Sequence, residues 1–445
     1  MIYNGRIILC FFLLSSMLFS QDEMKIRVQI LEKQVRELTE EVLKLRSSLE
    51  NQEKTTEKIL QEKNHPPSKL YEELIASFHN ENKENELYTF YRSLIHSEIS
   101  IGGYLETQFQ AQESKEEESS LDLSSFGFQL KSSWNTVFSV DTEIKISRPE
   151  SIEIIHAYLL ASINDYLNFK VGVIRVPLGR YNLLYSPPAQ SLGAKPFFYE
   201  FFLPAVWSEP GISLSGEWTE GIPFHIRYEM LLSNGLGKES FQGFIGNQEA
   251  IQGLHEDNNT DKQLTSRIEV SPQFSVDILG LYFGISGTIG KYDEENKEQY
   301  KGISLDLFLR VGPFSLIGDY DRLEFSAEYI RFSVERSKET LDKFPNTASS
   351  IEGIYYQIDY LFFPQEWRSN SFLFGEKSTF ALALRYEKIR VHASPFTETQ
   401  VCTIGFHFRP KEQMVFRVEY SFIEEIIQSK SDWNNRFLAS FATFF

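Results

Sequence analysis

From about Ile99 to its last residue, the chain places apolar side chains at every second position in short segments. Segments of this kind begin at Phe138, Phe224, Ile303, Phe380 and Phe416. In one of them, Leu382 and Leu384 alternate with Ala383 and Arg385. A period of two is typical of a β-strand with one apolar and one polar face. Each segment has about ten residues, the length that a tilted strand needs to cross a bilayer.

The second face of these segments carries full charges. Its charged positions include Arg227, Glu229, Arg310, Arg385, Glu387, Arg417 and Glu419. In a soluble sandwich this face would meet bulk water, whereas in a membrane barrel it lines an aqueous lumen. Three Arg–Glu pairs stand two residues apart, so we expect each pair to cancel most of the field that a passing ion would feel. We therefore predict that these side chains line a weakly selective lumen.

The chain ends on an aromatic strand face. Phe437, Ala439, Phe441, Thr443 and Phe445 share that face if the segment is a strand. Chain ends usually fray into water, but in a closed barrel the last strand pairs with the first and lipid accepts its aromatic side chains. The ending therefore favours a closed membrane barrel over residues 98–445. We predict sixteen strands, with eighteen as the alternative, because such antiparallel barrels have an even number.

Three segments precede the predicted barrel. Residues 1–20 combine a positive start with an apolar core, as a secretory signal peptide does. Residues 21–65 carry a heptad seam with three-four spacing, formed by Val28, Leu31, Val35, Leu38, Val42, Leu45 and Leu49. This seam predicts a coiled coil, in which valine at a and leucine at d favour two strands, whereas a three-fold barrel assembly would impose three. Residues 66–97 read as a linker with a short helix. The predicted fold class is an all-β transmembrane antiparallel barrel with an N-terminal α-helical coiled coil.

Residues 175–210 interrupt the strand rhythm. Their several prolines exclude a continuous strand. The segment is also rich in aromatic side chains, so we predict that it folds inward and narrows the lumen; the alternative is a loop packed over the barrel rim. Arg175, Arg180 and Lys195 are candidates for a cationic constriction. The alternative for these three is neutralisation by Glu200, Glu209 or lumen carboxylates.

Charge and motif content exclude several functions. The net charge of -18 argues against nucleic acid as a partner. Cys10 falls in the signal peptide and Cys402 in a strand, so the mature chain has no internal disulfide. The eight histidines are scattered without the spacing of a metal site, and no nucleophile elbow is present. We therefore predict that the protein is not an enzyme and uses no cofactor or metal.

Three short features carry a family resemblance. They are the strand from Gly172 that runs into Val176-Pro177-Leu178-Gly179, the proline-rich loop ending in Glu209-Pro210-Gly211-Ile212, and the last two strands with Phe445. With a coiled coil before the barrel, the chain resembles the phosphate-selective porin family of the O/P type. The resemblance implies a trimeric, sixteen-stranded outer-membrane channel for small hydrophilic solutes, often anions. The final strand also resembles the recognition strand of bacterial outer-membrane proteins, which implies the outer-membrane assembly machinery as a partner.

The leading prediction is therefore a porin for passive diffusion of small hydrophilic solutes or ions. It would lie in the bacterial outer membrane, with the coiled coil in the periplasm. Its expected partners are outer-membrane lipid, further copies of itself in a homotrimer, and the solutes. The alternative function is that of a structural or adhesive surface protein. A transporter for apolar ligands would need an apolar lumen, and no ladder of apolar lumen positions stands out in the sequence.

Overall fold

The computed structural model describes residues 98–113, 119–147, 151–203, 206–241, 260–273, 279–295, 297–318, 320–364, 366–367, 374–375 and 377–445. The predicted signal peptide, coiled coil and linker lie outside the described residues. None of the helices in the described ranges is both long enough and apolar enough to span a membrane.

The described part of the chain forms one sheet of seventeen strands. In chain order they are Glu98–Gln112 (β1), Ser120–Ser133 (β2), Phe138–Ser147 (β3), Ser151–Asn164 (β4), Leu167–Arg175 (β5), Ser208–Trp218 (β6), Phe224–Ser233 (β7), Gln263–Pro272 (β8), Leu279–Lys291 (β9), Gln299–Phe314 (β10), Asp321–Val334 (β11), Ser350–Phe362 (β12), Thr379–His392 (β13), Thr397–Arg409 (β14), Met414–Ile427 (β15), Lys430–Trp433 (β16) and Arg436–Phe444 (β17).

The sheet closes on itself. Neighbouring strands pair in antiparallel fashion, and β1 pairs with both β2 and β17. The short β16 and the longer β17 both pair with β15, so they are two parts of one interrupted strand. Counted around its circumference, the barrel therefore has sixteen strands, which confirms the predicted strand number. Closure pairs the first strand with the last, so the described barrel has no free edge at that seam.

Side chains alternate between the two faces of the barrel wall, as β13 illustrates. Leu382 and Leu384 point outward and are 52% and 47% exposed, whereas Arg385 and Glu387 point inward and are each 2% exposed. The period-two pattern of the sequence thus separates an apolar outer surface from a more polar inner surface.

The closing seam depends on a close approach of β1, β2 and β17. The amide of Gly103 donates to the carbonyl of Phe445 and the amide of Phe445 to that of Gly103, both at 3.1 Å. The ring of Phe445 stacks on Phe126 at 5.7 Å. A β-carbon at position 103 would lie 2.3 Å from the carbonyl oxygen of Gly127 and 2.6 Å from the Phe445 ring. Only glycine fits this position without a shift of the backbone.

Connections at the two ends of the barrel differ in length. We call the end that holds the start of β1 and the end of β17 the terminal edge, and the opposite end the far edge. The longest far-edge connections are 176–207, 234–262 and 335–349, while most terminal-edge turns are short, with 363–378 as the exception. Helices α1 (Arg180–Leu184) and α2 (Phe197–Phe201) belong to the first connection, and α3 (Lys338–Lys343) to the third. Turns of 3-10 helix cover Pro187–Ala189 and Lys238–Phe241.

Glu298 ties two far-edge connections together. Its carboxylate accepts hydrogen bonds from the Ser337 amide and the Thr340 hydroxyl, both at 2.6 Å, and from the Tyr292 hydroxyl at 2.5 Å. Burial acts to raise the pKa of Glu298, but these hydrogen bonds stabilise the charged form more strongly, and the net pKa lies below its ordinary value.

Acidic pH should loosen this contact. Because the pKa of Glu298 is lower in the folded state, its contribution to stability is complete above the unfolded pKa of about 4.3 and is lost as the pH falls through the folded value. We expect the protection of the Ser337 amide against hydrogen exchange to fall at low pH, and Glu298→Gln to remove that dependence. Equal protection on both sides of the transition in the unchanged protein would contradict this assignment.

Candidate functional site

The chain segment 176–207, which we call the inward loop, connects β5 to β6, and its described residues 176–203 and 206–207 pack against the inner wall of the barrel. Its neck is held by the amide of Val176, which donates to the carbonyl of Trp207 at 3.0 Å. The Asn182 side chain reinforces the neck, donating to the carbonyls of Val176 and Trp207 at 2.8 and 3.0 Å and accepting from the Trp207 amide at 2.7 Å. These hydrogen bonds hold the first and last residues of the inward loop together.

The far half of the barrel interior is apolar and packed. Buried residues of the inward loop in this core are Tyr185, Phe197, Phe198, Tyr199, Phe202, Leu203 and Trp207, and wall residues in it include Ile330, Phe332, Ile351, Ile389, Val391, Val401 and Ile423. The ring of Phe202 lies 5.5 Å from Phe332 and 6.3 Å from Phe241. No ladder of apolar lumen positions stands out in the sequence, but in the far half apolar side chains of the wall do face the lumen and pack against the inward loop.

Arg417 joins the other side of the inward loop to the wall. The Arg417 side chain is only 1% exposed, and its guanidinium lies 2.8 Å from the Glu106 carboxylate. It also donates to the Ser440 hydroxyl and to the carbonyl of Pro187, both at 2.9 Å. One buried cation thus links three barrel strands to the loop, and its ion-pair partner is Glu106 and not the predicted Glu419.

Arg385 and Glu387 hold the next stretch of the loop. They form the one predicted pair that meets directly, with 2.7 Å between the Arg385 Nε and a Glu387 oxygen. The guanidinium of Arg385 also donates to the carbonyls of Ala194 and Lys195 at 2.9 and 3.0 Å, and Glu387 accepts from the Phe197 amide at 2.5 Å. These charges face inward, but the loop covers them.

Two further carboxylates accept hydrogen bonds from loop amides. Glu419 accepts from Gly193 at 3.0 Å and from Ala194 at 2.5 Å. Glu328 accepts from the Tyr181 amide at 3.1 Å, and the Tyr199 hydroxyl also donates to it. We call the following wall residues the clamp: Glu328, Arg385, Glu387, Arg417 and Glu419, which bind the loop directly, and Glu106, which pairs with Arg417.

Arg227 and Glu229 lie on the inward face of β7 and pair across strands. Arg227 is directly opposite Glu269 in the register with β8, with 3.2 Å between their side chains. Glu229 pairs with Lys170 of β5 at 2.8 Å. The predicted pairing of Arg227 with Glu229 is therefore wrong, because the partner of Arg227 stands on the adjacent strand β8 and that of Glu229 stands on β5, beyond β6.

Two of the three predicted constriction residues flank one tyrosine of the inward loop. Arg175 pairs with the wall carboxylate Glu143 at 2.9 Å and donates to the carbonyl of Tyr185 at 3.1 Å. The Lys195 ammonium lies 5.3 Å from the centre of the Tyr185 ring. Arg175 is thus neutralised by a lumen carboxylate while it braces the loop.

The third predicted residue, Arg180, meets a different part of the wall. It pairs with Glu269 at 3.2 Å, and its guanidinium lies 5.1 Å from the centre of the Phe308 ring. Arg310 lies 5.5 Å from the same ring and pairs with Glu324 at 2.8 Å. The two arginines therefore share one aromatic side chain on the inner wall, and each also has a carboxylate partner.

A cavity of about 830 Å³ remains between α1 and the wall of β4–β9, toward the terminal edge. Its charged lining consists of Asp165, Arg180, Glu217, Arg227, Glu229, Arg267 and Glu269. Both signs are present side by side, and Arg267 is held by Asp306 at 2.6 Å. Such a lining is hydrophilic but gives no strong field of one sign. In the described ranges, no cluster of His, Cys, Asp and Glu is arranged to hold a metal ion.

Sequence reasoning missed the carboxylates that complete these contacts, notably Glu106, Glu143, Glu269 and Glu328. Each stands at an inward position of an alternating strand, which is a signal that the sequence does contain. Their partners could not be read from one strand, because the register between strands and the path of the inward loop decide them.

No family model matches the chain. An uncharacterized protein of Aquifex aeolicus (strain VF5) is 22% identical over 364 residues, which cover 75% of this chain and 77% of that protein. Among solved structures, a loop-deletion mutant of the outer-membrane protein OmpT of Vibrio cholerae has a TM-score of 0.49 and 11% identity, covering 78% of this chain and 99% of that one. The anion-selective porin from Comamonas acidovorans has a TM-score of 0.49 and 10% identity, covering 79% and 100%.

Proposed function

We propose that this chain is an outer-membrane porin through which small hydrophilic solutes or ions diffuse passively. The observation that carries the proposal is the hydrophilic cavity of about 830 Å³ inside a closed barrel with an apolar outer surface. A closed barrel satisfies its backbone hydrogen bonds without water, so it can stand in lipid. Its inner cavity then supplies an aqueous environment for solutes that lipid excludes.

The solute path follows the β4–β9 side of the lumen, where the cavity lies, because the clamp binds the inward loop on the side formed by β1, β11, β13 and β15. The mixed charges of the cavity favour weak selectivity. An anion preference, which the resemblance to the phosphate-selective porins suggests, would arise from Arg180 and Arg227, the two arginines of the lining with the more exposed side chains, at 21% and 51%. We propose that these two residues determine whether the channel favours anions or cations.

Several further features belong to the same proposal. The chain is not an enzyme and needs no cofactor. The apolar outer surface contacts outer-membrane lipid, and the strand that ends at Phe445 is read by the assembly machinery. Three copies form a homotrimer, with the coiled coil of residues 21–65 in the periplasm. The aromatic ending supports the lipid contact and the assembly partner, the heptad seam supports the coiled coil, and the family resemblance suggests the trimer.

Planar-bilayer recording tests the proposal. Purified full-length mature protein should produce discrete current steps, and proteoliposomes that contain it should swell in small neutral sugars but not in large ones. A membrane that stays electrically silent, with liposomes that do not swell, would instead favour the structural or adhesive role.

Reversal potentials in a salt gradient test the role of the arginines. Arg180→Ala should shift the preference toward cations, because Glu269 then loses one of its cationic neighbours. Arg175→Ala should change it less, since that side chain is 17% exposed and is bound to Glu143 and to the loop backbone. An ion preference unchanged in both variants would remove these residues from selectivity.

A further inference from the structure

A second cavity lies at the far edge of the barrel, between α2 and the inner wall of β12–β15. Its volume is about 90 Å³, and its walls include Phe197, Phe201, Ile389, Val391 and Ile427. We call it the far-edge pocket. These side chains face the lumen and not the outer surface, so contact with lipid does not account for an apolar surface in this position.

The aromatic part of the far-edge pocket comes from the inward loop. The rings of Phe197 and Phe201 lie 4.1 Å apart, on successive turns of α2. Phe201 is only half-buried, so one ring is accessible from the pocket. The faces of aromatic rings carry partial negative charge and attract cations, most strongly where water is excluded.

The pocket also has a carboxylate that its surroundings do not neutralise. Of the two glutamates that border it, Glu398 pairs with Lys388 at 2.6 Å and with Arg390 at 2.8 Å. Glu425 stands opposite Asp432 in the register with β16, and within the described ranges no basic side chain forms an ion pair with it. The charge left uncompensated at the pocket is therefore negative.

We propose that the far-edge pocket binds a small hydrophobic cation, such as an alkylammonium ion. Its apolar chain would lie against Ile389 and Val391, and its ammonium group would lie between the Phe201 ring and the Glu425 carboxylate. Apolar walls, an aromatic face and one uncompensated carboxylate are together the groups that recognise an alkylammonium ion and reject the matching anion. The assignment concerns binding at the far edge and does not require solute passage.

Three ligands with the same four-carbon chain test the proposal: n-butylammonium, n-butanol and n-butyrate. Their binding to the full mature chain in lipid nanodiscs would be measured by saturation-transfer NMR, against empty nanodiscs. We expect n-butylammonium to bind most tightly and n-butyrate not to bind. Glu425→Gln should weaken n-butylammonium at least about fivefold, equivalent to about 1 kcal/mol, and bring its affinity to that of n-butanol.

Glu424→Gln is the matched control. Glu424 precedes Glu425 on β15, points to the opposite face and bonds to the Ser431 hydroxyl at 2.7 Å. This variant should bind n-butylammonium as the unchanged protein does. The proposal is overturned if n-butylammonium does not bind, if n-butyrate binds equally well, or if Glu424→Gln and Glu425→Gln weaken binding to the same extent.

Discussion

Replacing Arg417 with methionine should release the inward loop while the barrel remains folded. The substitution leaves Glu106 as a buried charge without its cation and removes the bond to the carbonyl of Pro187. Breaking one side of a buried ion pair costs about 3–5 kcal/mol. The barrel itself is held by backbone pairing around its full circumference, so we expect the loop to yield first. Single-channel conductance should rise, and a protease should cut within 176–207.

Arg310→Met is the control for this experiment. Arg310 also faces inward and forms an ion pair, but its side chain is 49% exposed and its partner is Glu324. Within the described residues it makes no hydrogen bond to the inward loop, so conductance and protease resistance should stay near those of the unchanged protein. If Arg417→Met leaves the loop protected and the current steps unaltered, the clamp does not hold the loop.

Gly103→Val should destabilise the closing seam. A β-carbon at this position would meet the carbonyl of Gly127 at 2.3 Å and the ring of Phe445 at 2.6 Å, so the backbone of β1 must move away from one neighbour. Overpacking of this kind costs about 1–3 kcal/mol or more. We expect a lower denaturant midpoint in refolding from urea into detergent micelles, and a smaller folded fraction.

Gly287→Val separates this effect from a general cost of valine in a strand. Gly287 lies in the middle of β9, where a β-carbon would meet only the carbonyl of Gly302 at an ordinary 3.7 Å. Valine is favoured in strands, so this variant should be as stable as the unchanged protein or slightly more so. Equal loss of stability in both variants would show that the seam is not specially tight.

The sequence predicts the wall of the barrel well, because the wall follows a local rule. Outward and inward residues alternate along each strand, as Leu384 and Arg385 do, and no distant contact is needed to recognise that pattern. The final strand was readable for the same reason: Phe441 and Phe445 share a face. The number of such segments, together with the even total of a closed antiparallel barrel, predicts the sixteen strands.

The interior was less predictable, because it depends on contacts between distant parts of the chain. Nothing in the sequence near Arg417 indicates that Glu106 is its partner. The apolar far half of the lumen was missed because Ile389 and Val391 follow Arg385 and Glu387 on the same inward face of β13. When the inward face of one strand changes from charged to apolar, its sequence pattern alone does not reveal a buried core. The inward loop, which covers this apolar part, gives the reason for the change.

The position of the inward loop inside the barrel decides both the clamp and the solute path. A disulfide between Gly193→Cys and Ser440→Cys, in a chain with Cys402→Ser, tests it directly. A β-carbon at position 193 would lie 2.8 Å from the Ser440 hydroxyl, close enough for a disulfide once both residues are cysteine. The account predicts that this pair forms a cross-link in the folded protein, and that Gly193→Cys with Ala439→Cys, whose second residue faces outward, does not. Absence of the first cross-link, or equal formation of both, would contradict it.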